Sequence, residues 1–168
     1  MFLGSETFAF FPGAPLTGQY VAPVGTRLLL ALVGVRLPSS AGIDLGLSWG
    51  GYQVPQIGSD KRSEFGRWWQ VGLFTLPEVL LEYDENDQPI ETPVIWPTAA
   101  ADFDLQSSGQ HEGVALMFAA FNSDKVKASF AVNGKEMVAW GNGVDWVHAA
   151  VTDPPFSVVV TGGVNGDL

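Results

Sequence analysis

The chain has 168 residues, of which 46% are hydrophobic, 12% aromatic and only 15% charged, a composition for one domain with a substantial core and not for a disordered chain. A net charge of −10 disfavours duplex nucleic acid and anionic membrane surfaces, since both are held through Lys and Arg. The absence of cysteine excludes disulfides and thiolate metal sites.

The N-terminal "MFLGSETFAFFPG" has no basic n-region and carries Glu6, so it does not read as a signal peptide. The expectation is a protein made in the cytoplasm. Residues 1–24, with Phe2, Phe8, Phe10 and Phe11, read either as an arm that docks on a neighbouring subunit or as an ordinary first strand. Residues 25–168 read as the body of the domain. "LLLALV", Leu28 to Val33, is far too short to span a bilayer. With Gly25 before it and Gly34 and Pro38 after it, it reads as a strand buried on both faces.

Ile43, Leu45, Leu47 and Trp49 then alternate with polar or small residues, the period-two pattern of a half-buried strand. Gly50-Gly51 supplies a two-residue hairpin turn, with Tyr52 opening the return strand. "WWQVGLFTL" carries bulk on both faces and reads as a central strand, with Trp68 and Trp69 pointing to opposite sides. "EVLLEYDENDQPIETPVIW" reads as strand, acidic turn and return strand. "GVALMFAAFN" is a further apolar strand, Asn133-Gly134 marks a second tight hairpin, and "FSVVVTGGV" supplies a strand rich in β-branched residues. The sum is an all-β chain forming a single β-sandwich domain of about eight to ten strands.

The succession "VGTRLLLALVGV", "LSWGGYQVPQIG", "WWQVGLFTL", "VALMFAAFN", Gly25 to Asn122, resembles a β-sandwich module of phage virion proteins. The resemblance implies a jelly-roll-like sandwich serving attachment or assembly, with no catalytic residues to carry over. The chain would then be a capsid decoration or tail-associated protein, located in the virion. Its partners would be major capsid or tail proteins, and it would form a homo-oligomer, a trimer being favoured. The aromatic N-terminal segment and "VNGKEMVAWGNGVDW" depart from the module and are where a specialised contact would lie.

Signatures of chemistry are few. Asp84, Asn86 and Gln88 alternate as in a calcium loop, but residue 89 is Pro and the twelfth position is Ile95, so the stretch reads as a solvated turn. His111 and His148 lack metal-ligand spacing, which leaves little for a metal-dependent jelly-roll enzyme, and no nucleophile elbow or phosphate loop is present. No metal or cofactor is expected, and the chain reads as non-enzymatic. The six tryptophans would serve as core, as protein interface or as a stacking face for sugars. Trp49 and Tyr52 read as the two ends of a hairpin. A carbohydrate-binding alternative falls on Trp68, Trp140 and Trp146, the last two flanking the glycine loop "GNG".

Overall fold

The apolar run that starts at Leu28 forms a strand covered on both faces. Leu29, Ala31, Val33, Val35 and Leu37 enter one core, while Leu28, Leu30 and Leu32 enter another. A strand with two apolar faces needs a layer on each side. The structure, a computed structural model, describes residues 1–64, 66–152 and 157–164, and in it three sheets are stacked face to face.

The middle sheet contains β1 (Phe2–Phe10), β3 (Leu28–Leu37), β6 (Gln56–Glu64), β7 (Arg67–Pro77) and β11 (Val114–Phe121), in the order β1-β11-β3-β7-β6. All its pairings are antiparallel. One face is covered by β2 (Thr17–Tyr20), β10 (Ala101–Ser107), β4 (Leu45–Trp49) and β5 (Tyr52–Val54). The other is covered by β13 (Lys135–Gly141), β12 (Val126–Val132), β14 (Asp145–Thr152) and β15 (Ser157–Val164), in which β12 and β14 run parallel. A separate two-stranded ribbon, β8 (Val79–Tyr83) with β9 (Pro89–Pro93), completes fifteen strands among the described residues. The all-β sandwich is as expected, with a layer more than the usual two.

Alternation sorts the side chains. On β7, Trp69, Val71 and Leu73 enter the core shared with β12–β14, and Phe74 and Leu76 enter the core shared with β4 and β10. In the latter, Phe118 is the hub: Tyr20 stacks on it at 4.5 Å, and Phe103 and Phe8 meet it edge-on at 5.4 and 6.1 Å. Trp49 is fully buried there, and its indole Nε1–H donates to the Tyr20 carbonyl at 3.0 Å. Both predicted hairpins are present, with positive φ at Gly50, Gly51, Asn133 and Gly134.

The count of fifteen exceeds eight to ten because several strands carry little apolar signal. β6, "QIGSDKRSE", is a polar edge strand, and β2 is four residues long. Of the two roles expected for residues 1–24, the strand is observed: β1 pairs with β11 and β2 pairs with β10. Of the predicted terminal strand "FSVVVTGGV", Ser157–Val164 is observed as β15, and Phe156 lies outside the described residues.

Candidate interaction surface

The residues singled out in the sequence fall in separate places. Phe2 packs on Phe121 at 5.5 Å, and Phe8 and Phe10 meet Phe103 at 4.8 and 6.3 Å, so these three find aromatic partners within the chain. Phe11, just beyond β1, is 77% exposed. Trp68 is half-buried against the first core, with the Lys61 ammonium 5.8 Å from its ring centroid. Trp140 lies in register with Ala128 and packs against the second core. Trp146 lies between buried Asp145 and Val147 and therefore points outward. The three tryptophans occupy three different faces and form no common platform.

The glycine loop between Trp140 and Trp146 has a topological role instead. It carries the chain from β13, on one side of β12, to β14 on the other. A Cβ on Gly141 or Gly143 would overlap backbone atoms of Lys125 and Val126, so the crossing passes backbone against backbone.

The histidines are also apart. His148 Nδ1 lies 2.7 Å from the Ser129 hydroxyl across the parallel pair. His111 Nδ1 accepts from the Gly113 N–H at 3.1 Å, and its burial lowers its pKa. Among the described residues no three His, Asp or Glu side chains come together as a metal site requires. A cleft of about 540 Å³ on the outer face of the β2-β10-β4-β5 sheet is polar, lined in part by Thr17, Gln19, Ser48, Asp102 and Asp104.

The surface that stands out is the β8–β9 ribbon. Its turn is built by one carboxylate: Asp84 Oδ1 accepts from the N–H groups of Asn86 (2.8 Å) and Gln88 (2.9 Å), with Asp87 at φ 57°. Its base is clamped. Arg27 donates from Nε and Nη2 to the two Glu78 oxygens at 3.0 and 2.8 Å. Those hydrogen bonds hold the Glu78 carboxyl below its ordinary pKa. Leu80 tucks against the first core, and the Ile95 N–H donates to the Tyr52 hydroxyl at 2.7 Å.

Alternation places Val79, Leu81 and Tyr83 on one ribbon face with Pro89, Glu91 and Pro93 opposite them. Val79, Leu81 and Tyr83 are 40%, 55% and 64% exposed, and Ile95 at the base is 79% exposed. A contiguous apolar strip on the outside of a domain marks a candidate contact surface. An apolar cleft of about 470 Å³, between the β2–β3 loop around Val24 and the segment Trp96–Thr98, opens beside this base.

The two edges of the ribbon differ. Hydrogen bonds from Asp84 N to Gln88 O (3.0 Å) and from Val94 N to Glu78 O (2.8 Å) fix the phase of the ladder. Since hydrogen-bonded and non-hydrogen-bonded pairs alternate, the pairs Val79–Pro93, Leu81–Glu91 and Tyr83–Pro89 are of the second kind. Their backbone groups point away from the ribbon. On the β9 edge, Pro89 and Pro93 have no N–H, so the edge is closed to pairing. On the β8 edge, the N–H and C=O groups of Val79, Leu81 and Tyr83 are intact, and no further strand pairs there among the described residues.

Charge is just as lopsided. No Lys or Arg occurs between Arg67 and Lys125, a stretch holding ten of the eighteen Asp and Glu residues. Five of these, Glu82, Asp84, Glu85, Asp87 and Glu91, belong to the ribbon or its turn. The sequence pattern at β8 reveals a strand but not its exposure, because period-two alternation looks the same whether its apolar face turns inward or outward. Comparison of the chain with protein-family models, with curated proteins and with solved structures finds no match.

Proposed function

We propose that this chain is a non-enzymatic assembly protein that stabilises a larger structure through protein–protein contacts, of the capsid-decoration or tail-associated kind. In this reading it is made in a host cytoplasm, carried in the virion as a homo-oligomer, a trimer being favoured, and seated on major capsid or tail proteins. The observation that carries the reading is the ribbon: a projection, paired at its base through Arg27 and Glu78, whose apolar strip faces solvent. The jelly-roll form of the sandwich and the module resemblance belong to the same proposal. Phe11, the one exposed member of the N-terminal aromatic set, is the residue left to serve a subunit contact.

The test is native mass by light scattering on a sizing column, across a concentration series. The reading expects a closed oligomer, with Phe11→Asp lowering the mass while the fold is retained. Deleting residues 1–12 is the wrong perturbation, since it removes an edge strand of the middle sheet. A monomer at every concentration overturns the homo-oligomer.

A carbohydrate-binding role is favoured by one observation. Trp146 points outward from its sheet, in a row with Lys127 and Gly163, beside the Ser129–His148 pair. That role predicts glycan retention that Trp146→Ala abolishes, with Trp68→Ala and Trp140→Ala leaving it intact because those rings face elsewhere.

A further inference from the structure

We infer that the open edge of β8 is a strand-addition site, and that its occupant is an extended segment of another protein in which apolar residues alternate with Lys or Arg. The inference rests on the assembly reading above and names the partner's chemistry.

Three observations converge. The β8 edge offers the outward N–H and C=O groups of Val79, Leu81 and Tyr83, while prolines close the β9 edge, so a strand added to this ribbon joins it at β8. Main-chain hydrogen bonds to an exposed edge give affinity, and alternate side chains give specificity. The alternate side chains here are Val79, Leu81 and Tyr83 on one face, so every second residue of the incoming strand lies beside an apolar neighbour. Its intervening residues lie on the Leu80–Glu82 face, beside Glu82 and toward the turn that carries Asp84, Glu85 and Asp87, while the Arg27 guanidinium at the base is taken up by Glu78. Opposite charges across neighbouring strands stabilise and like charges destabilise. The segment is therefore basic.

A second copy of this chain fits less well. Pairing two β8 edges sets two acidic ribbons side by side and leaves both apolar strips facing solvent.

The probe is a capped, fluorescein-labelled peptide alternating Lys and Val over seven residues, titrated with the full chain and followed by anisotropy. Two controls accompany it: the same peptide with Glu for Lys, and one N-methylated at alternate residues so that it cannot complete a ladder. The protein variant is Leu81→Pro. The Leu81 N–H points outward, so proline removes a docking donor without removing a hydrogen bond of the ribbon. An unchanged melting curve verifies that the variant folds.

The expected result is binding to the Lys-Val peptide that weakens at least tenfold with Leu81→Pro, with N-methylation and with Glu for Lys, and that falls as salt is raised. Absence of binding, or binding indifferent to Leu81→Pro and N-methylation, overturns the inference. So does a dimer of the chain that Leu81→Pro dissolves, since the occupant is then a second copy. The assembly reading fails separately, in the light-scattering series: a closed oligomer with no strand binding sinks this inference alone, and strand binding by a permanent monomer sinks the homo-oligomer alone.

Discussion

Replacing Gly34 by alanine tests how tightly the second core is packed. Gly34 lies on β3, on the face turned toward the β12–β14 sheet, and the Phe130 ring sits over it. A Cβ at Gly34 would stand 3.0 Å from Phe130 Cζ, 3.2 Å from Cε1 and 3.6 Å from Trp69 Cζ3. Phe130 is 1% exposed and Trp69 0%, so neither ring has free space to yield into. Overpacking of this kind costs about 1–3 kcal/mol. Alanine is favoured over glycine within a strand by about 0.5–1 kcal/mol, which offsets part of the cost. The net expectation is a loss of about 1–2 kcal/mol, and for a chain of this size each kcal/mol lowers Tm by about 2–4 °C.

Urea unfolding and a thermal melt read the effect. The double variant with Phe130→Leu checks its cause. Phe130→Leu alone leaves a void, and the added methyl occupies part of it. The combined loss is therefore smaller than the sum of the two, with a coupling of about 0.5 kcal/mol or more. Additive losses, or a Gly34→Ala chain more stable than the parent, would refute the packing argument.

Asp87→Gly releases a left-handed backbone at the ribbon turn and should raise stability by about 1 kcal/mol in a denaturant titration; a decrease would mean that its side chain matters more than its φ. Gly143→Ala should prevent folding, read as loss of soluble, protected chain, because the crossing over β12 has no room for a Cβ. The Glu78 carboxyl is held below its ordinary pKa by Arg27, so the clamp's contribution is fully present above the unfolded carboxylate range. It is lost as pH falls through the lowered value. Amide exchange at the ribbon base should accelerate across that acid window, and Arg27→Met should abolish the step. A step of equal size in the variant would place its origin elsewhere.

Much of this architecture can be read from side-chain alternation. Leu28–Leu37 and "WWQVGLFTL" are apolar on both faces, and each lies in the middle sheet. Trp68 and Trp69 separate to opposite sides as adjacent strand residues must. What the pattern conceals is which face meets which. Nothing in β3 or β11 says that their two faces serve two different cores, so the third layer is invisible. β6 is masked by its polarity, as suits an edge strand. β10 did carry a signal: Phe103 and Leu105 alternate with Asp102, Asp104 and Gln106. The sequence shows two tryptophans flanking the "GNG" loop, whereas its glycines answer to a backbone crossing that depends on tertiary topology. At β8, a strand is legible and its solvent-facing apolar side is not, because the missing cover belongs to no residue of the segment.

The doubly covered middle sheet also governs how this chain reaches its native state. β1 must find β11 and β3 must find β7 across long stretches of sequence, a non-local topology that folds in milliseconds to seconds and not microseconds. Either outer sheet can dock first, and whichever does leaves the opposite face of β3, β7 and β11 bare. Such a half-clad species presents a wide, flat, leucine-rich surface to any other molecule at the same stage. Crowded refolding should therefore divert chains into aggregates at this step, and dilution or slow synthesis should recover them, even though the finished protein hides every one of those leucines.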